Sequence, residues 1–254
     1  MHLATTDAAN ELLDADPLAL LLGMMLDQQV TMEKAFTSPA VLAERMGVTR
    51  LDAAQIAAAD PAQVEEWFRT PPALHRYPGS MAQRAQSLCA LLVDRYGGEA
   101  AAVWDTNDAG ELFRRLRELP GFGEAKARIF LALLGKQRGI TPAGWQEAAG
   151  EYGLPGFRSV ADIVDSESLA KVRAHKQQVK AEAKAAKATK PATTSPDAKT
   201  AKGTTSTRTT AQGTTATRTP AKRATRTTTQ DAKGTTTKAD TSPKTPPAPG
   251  ERRG

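Results

Sequence analysis

A single cysteine, Cys89, stands in the 254-residue sequence. It allows no internal disulfide and no iron–sulfur cluster held by four thiolates. It lies in the apolar run Ser87-Leu-Cys-Ala-Leu-Leu-Val, which places it in a core. No basic segment followed by an apolar run opens the chain, so no secretory leader is expected. The longest apolar stretch, Pro17–Leu26, is too short to span a bilayer. These absences point to a cytosolic protein with no membrane segment. Period-two alternation of apolar residues never persists long enough to mark a strand. The class is therefore all-α, with about nine or ten helices joined by short turns.

Large apolar residues nearly vanish from Lys176 onward, where Ala, Thr, Lys, Arg, Pro and Gly take over. Such a segment buries too little apolar surface to offset its ordering entropy. The composition thus predicts a folded domain over 1–175 and a disordered basic tail over 176–254. Gly-Thr-Thr recurs in the tail at Gly203, Gly213 and Gly234, a loose low-complexity repeat with no solenoid character.

The net charge of +6 hides an asymmetry. Up to Ala170 there are about 15 basic and 23 acidic residues, and beyond it about 19 and 5. The body carries roughly −8 and the tail roughly +14. A cationic tail with few compensating acids suits a polyanion, nucleic acid above all, although a solvating linker also has such a composition.

Along the body, Asp16 and Pro17 open a helix that is apolar nearly all round, a central core helix. Polarity arrives abruptly at Asp27-Gln28-Gln29-Val30-Thr31. Residues 31–36 continue as helix, and Ser38-Pro39 is expected to open a separate one through Arg45. Helices over 49–57 and 60–68 follow, then a strongly amphipathic one over 80–96 that Gly97-Gly98 ends. Residues 105–119 and 124–134 form a helical pair. A short helix lies within 139–152, and Asp165-Ser166-Glu167-Ser168 caps a last helix through about His175.

The turn inside the helical pair, Leu119-Pro120-Gly121-Phe122-Gly123-Glu124-Ala125-Lys126, carries most information. Its glycines permit backbone angles that a Cβ resists and let another backbone approach closely. The first turn of the following helix offers unpaired N–H groups, a seat for a phosphate. The plainer alternative is a glycine C-cap followed by a new helix.

Four segments in this order resemble the helix–hairpin–helix (HhH-GPD) DNA glycosylase superfamily, which includes endonuclease III, the adenine glycosylases and the 3-methyladenine glycosylases. They are the stretch from Asp16 through Asp27-Gln28-Gln29-Val30-Thr31, the stretch from Arg84-Ala85-Gln86 to Gly97-Gly98, the helix from Leu112 to Leu119, and the hairpin itself. The resemblance covers about residues 12 to 138. It implies a base-excision repair protein that binds double-stranded DNA as a monomer, in the cytoplasm at the nucleoid. The implied DNA contacts are Gln28, Gln29, Leu119, Gly121, Phe122, Gly123, Glu124, Ala125 and Lys126. Gln29, with Gln28 beside it, matches the glutamine that enters the duplex or meets the base opposite the lesion. An amide both donates and accepts toward base edges. A solvent-facing polar pair at a helix end is the plain alternative.

Two departures from the family pattern bear on mechanism. Lyase members carry a lysine two residues after the second hairpin glycine, where this chain has Ala125. Lys126 is one step further, rotated by about 100° on the helix, and is expected to contact a phosphate instead. The family's aspartate, counted at the family spacing, falls near Ala143-Gly144-Trp145, where no acid stands. Asp165, in Ile163-Val164-Asp165-Ser166, is the nearest match and the candidate catalytic residue, although it also fits a helix N-cap. Asp162, Glu147 and Glu151 are further candidates. Trp145, Tyr152, Phe122, Tyr77 and His75 are candidates to stack on an extruded base, with a core role as the alternative for each. The resemblance therefore implies a monofunctional glycosylase without an iron–sulfur cluster, other cofactor or metal. A catalytically silent DNA-binding or lesion-sensing protein of the same fold is the rival.

Overall fold

The protein is described by a computed structural model over residues 1–188. Among these residues there are ten α-helices and no strand, only an isolated bridge between Asp108 and Ala143. Helix α1 spans Asp7–Ala15 and α2 spans Pro17–Leu26. Every residue of α2 from Leu18 to Leu26 is buried. A helix with no polar face has to lie inside, and α2 is one of two that organise the core. Asp16 caps it from within the protein, accepting from Leu18 N at 2.9 Å and from Leu51 N at 2.8 Å. That second bond ties the start of α2 to the loop at Leu51.

Helix α3 runs Met32–Met46 without the break expected at Ser38-Pro39. A proline inside a helix removes one backbone bond. Here Phe36, Pro39 and Leu42 are all buried. The Ser38 hydroxyl bridges the Lys34 and Leu74 carbonyls at 2.7 and 2.9 Å. Burial and that bridge outweigh the lost bond. Gly23 lets α3 close on α2, since a Cβ there would meet the Phe36 ring at 2.7 Å.

Helices α4 (Ala53–Ala58) and α5 (Pro61–Arg69) pack on the long α6 (Pro78–Tyr96). Asp52 and Asp60 cap the two short ones. A 3₁₀ turn, Ala100–Trp104, leads to the pair α7 (Ala109–Glu118) and α8 (Glu124–Arg138). Helix α8 is the second core helix, with Ala127 and all of Phe130 to Leu134 buried. Gly135 leaves room for the Trp145 ring of α9 (Trp145–Ala149), so Trp145 packs on α8. Cys89 is buried on α6, as its apolar run predicts, and burial pushes its thiol up to about 12.

Helix α10 spans Ser166–Ala188, well past the predicted end near His175. Alanine, lysine, glutamate and glutamine dominate this stretch, and all favour helix even where nothing is buried. Its inner turns are held by the buried Ser168 and Val172. The rest of the predicted tail, 189–254, lies outside the described residues.

Candidate nucleic-acid interface

The α7–α8 turn divides into an anchored half and a presented half. Leu119 and Phe122 are core residues, 2% and 5% exposed. The Phe122 ring meets Phe130 edge-on at 5.7 Å, and Phe122 N donates to Leu119 O at 3.0 Å. Gly121 has φ +89°, and a Cβ on it would lie 2.8 Å from Arg84 Cδ and 2.9 Å from Met25 Cγ. The glycine is thus required twice, for its backbone angle and for the approach of α6 and α2. Gly123, Glu124 and Ala125 are exposed. Gly123 is the N-cap of α8, no side chain caps the helix, and the space around it is open. The first N–H groups of α8 therefore face outward with the positive end of the helix dipole behind them. Glu124 leans back toward Arg128, to which it is paired at 3.0 Å.

Lys126 turns inward. Its Nζ donates to the Met25 carbonyl at the end of α2, 2.8 Å away, and stands 5.9 Å from the centre of the Phe122 ring. Burial pushes its amine down to about 8, with Arg84 acting the same way and Asp27 opposing. Asp27 is the C-cap of α2. Burial raises its carboxyl above the usual range, Lys176 and Lys126 lower it, and Glu33 raises it again. So a carboxylate and an amine share the partly enclosed corner where α2 ends beside the first turn of α8. In the sequence Asp27 belongs to the Asp-Gln-Gln segment but has no expected catalytic role, because it fits no spacing rule for the family's aspartate. Its one signal there was an acid directly after nine apolar residues.

Gln28 and Gln29 diverge. Gln28 is fixed: its Nε2 donates to Met25 O at 2.9 Å, and its Oε1 accepts from Arg84 Nη1 at 3.1 Å. Its carbonyl accepts from His75 Nε2 at 2.7 Å, while His75 Nδ1 accepts from Tyr77 N at 3.0 Å. His75 is therefore a neutral ring with its proton on Nε2. Burial lowers its pKa, its bond to the Gln28 carbonyl raises it, and Lys34, Lys126 and Arg84 add to the lowering. Gln29 is exposed and has φ +55°, the one positive φ of a non-glycine among the described residues. A strained backbone held at a rigid corner pushes this amide outward.

Asp165 stands at the start of α10. Its carboxylate accepts from Ser168 N and Ser168 Oγ, both at 2.7 Å, as the cap of α10. These two bonds, the backbone one first, lower its pKa. Asp162 is enclosed in a capping box and pairs with Lys136 at 2.5 Å. Glu151 is exposed and faces Arg158 at 3.9 Å, and Glu147 is exposed. Of the aromatic candidates, His75 is buried beside Gln28 and Tyr77 is 45% exposed. Trp145 and Tyr152 pack against the core.

An all-α body in which a glycine-rich hairpin presents an uncapped helix start beside a glutamine corner defines the helix–hairpin–helix class. The chain belongs to the HhH-GPD superfamily of base excision DNA repair proteins, whose family model matches residues 22–192. Neither the curated proteins nor the solved structures contain a match to it. It is thus a base excision DNA repair protein with DNA as its substrate. Among the described residues no helix is long and apolar enough to cross a membrane.

Proposed function

We propose that the protein is a monofunctional DNA N-glycosylase acting on duplex DNA. The observation that carries this reading is the corner where the end of α2, with its C-cap Asp27 two residues before the exposed Gln29, is tied to the first turn of α8 through the Lys126–Met25 bond. Backbone phosphates bind the N–H groups of Gly123, Glu124 and Ala125. Gln29 enters the duplex and fills the place of the extruded nucleotide. We assign the carboxylate role expected of Asp165 to Asp27, which shares the corner with Lys126, while Asp165 accepts the capping bonds of α10.

In that site the bond from the sugar C1′ to the base nitrogen breaks, and its electron pair leaves with the base. The sugar gains oxocarbenium character, which a nearby carboxylate stabilises. Asp27, made more basic by burial, takes a proton from the water that attacks C1′. Lys126 contributes positive charge beside the leaving base and is held by the Met25 carbonyl instead of attacking the sugar.

The test is a screen for free-base release from duplexes carrying uracil, hypoxanthine, alkylated and oxidised lesions, with and without borohydride. Release without a trapped adduct is expected. Asp27→Asn should lower it at least a hundredfold while duplex affinity is kept. The amine near pH 8 makes a lysine adduct the informative contrary result, since trapping through Lys126 would overturn the monofunctional assignment. A second reading, a silent lesion sensor, is favoured by the occupied Asp165 cap and by the lack of an acid at 143–145. Binding with no release from any lesion would establish it.

A further inference from the structure

Next to Gln29 the surface opens into a groove of about 570 Å³ that the hairpin does not share. Val30, Thr31 and Lys34 form one wall, and Arg69, His75 and Arg76 line the other. The chain reaches it directly from the glutamine corner, and His75 joins its floor to the Gln28 carbonyl. We propose that this groove is a second seat for the sugar–phosphate backbone of DNA, holding phosphates through Lys34 and Arg76. The proposal rests on the duplex-binding reading above and extends it away from the hairpin.

The groove gathers cations that have no carboxylate partner among the described residues. The body is acidic overall, and its arginines are mostly spent on carboxylates. Arg95, Arg114, Arg115, Arg128 and Arg138 all have acid partners within 4 Å. Within the groove, Arg69 is likewise paired, to Glu65. Lys34 and Arg76 have no such partner among the described residues, nor has Arg84 nearby. Glu33, which would offset Lys34, is taken by Arg173 of α10. Lys34 and Arg84 both act on His75, which lines the same groove as Lys34 and Arg76, so these cations are grouped rather than scattered.

Uncompensated like charges repel one another, and an acidic body does not gather them on its surface without an anionic partner. A cationic groove beside an exposed ring fits a nucleic-acid strand. Tyr77 is that ring, with the Arg76 guanidinium 5.6 Å from its centre. Because His75 is neutral and both its nitrogens are bonded, it adds shape to the floor and no charge. Contacts from Lys34 and Arg76 to phosphate oxygens carry no sequence information, so this contribution is independent of sequence.

The experiment is a salt titration of the full chain against a lesion-free duplex, read by fluorescence anisotropy. The variants are wild type, Lys34→Gln/Arg76→Gln, Gly123→Asp and Arg50→Gln. Arg50 also lacks an acid partner within 4 Å but lines a different groove, beside Gly97 and Gly98. Each phosphate contact adds about 0.9 to the slope of log affinity against log salt. The double variant should therefore lose roughly 1.8 from that slope and about tenfold in affinity near physiological salt. Arg50→Gln should leave both unchanged. A weakened Gly123→Asp together with an unaltered double variant would overturn the groove and leave the hairpin reading standing. An equal loss from Arg50→Gln would overturn it too, because the effect would be net charge and not a seat. No duplex binding by wild type would remove both readings.

Discussion

Lys126 shows what a single side chain gains and loses by facing inward. Its ammonium has left water for a carbonyl, a ring and a nearby carboxylate, and these partners do not fully offset burial, so its pKa falls to about 8. Below pH 8 it is charged in both folded and unfolded chains, and the folded state bears the whole penalty. Between pH 8 and about 10.5 the unfolded chain binds more protons, so stability contributed at this site rises with pH. Lys126→Met should therefore stabilise the protein at pH 7 by on the order of 2 kcal/mol. The gap should close as pH approaches 10. Urea unfolding at both pH values checks this, and an equal gap at both would mean that the amine is not penalised by burial. The sequence placed this lysine one step from the expected position. It could not reveal its direction, because that depends on where the end of α2 lies.

At the scale of the element, the two hairpin glycines make opposite demands. Gly121 is confined by Arg84 and Met25 and has φ +89°, so Gly121→Ala should cost about 2–4 kcal/mol in chemical unfolding. Gly123 has ordinary φ −84° and open space. Gly123→Asp should leave stability unchanged or raise it by a few tenths of a kcal/mol, since aspartate is a better N-cap than glycine. The same change places a negative charge on the N–H groups that would bind phosphate, and duplex affinity should fall about tenfold. A Gly123→Asp protein that melts early would show that its role is packing. Periodicity and caps made most elements legible: Asp16 and Asp60 each cap a helix in the structure, while α4 and α7 begin later than expected, behind Asp52 and Asp108. It failed at Pro39, where burial overrode a breaker, and at α10, where helix propensity outlasted the apolar pattern.

For the whole molecule the governing feature is a division of charge between body and tail. Residues 189–254 carry about 13 basic and 4 acidic side chains. Ending the chain at Ala188 should flatten the salt dependence of non-specific duplex binding and lower affinity at least tenfold at low salt. The same titration checks it, and an unchanged slope would reduce the tail to a linker. The lesion-dependent part of binding should survive the truncation, because it belongs to the corner built by α2 and α8.

The sequence alone determined the all-α class, the central core helix α2 and the hairpin, because these follow from local patterns: apolar period, caps and paired glycines. The family followed from the same residues. The tertiary structure decided which charged groups meet. Asp27 joins Lys126 although they are far apart in the chain, Asp165 is committed to capping α10, and Lys34 is left without a carboxylate because Arg173 takes Glu33. Electrostatics acts through distance in space and through exclusion of water, and neither is written in residue order.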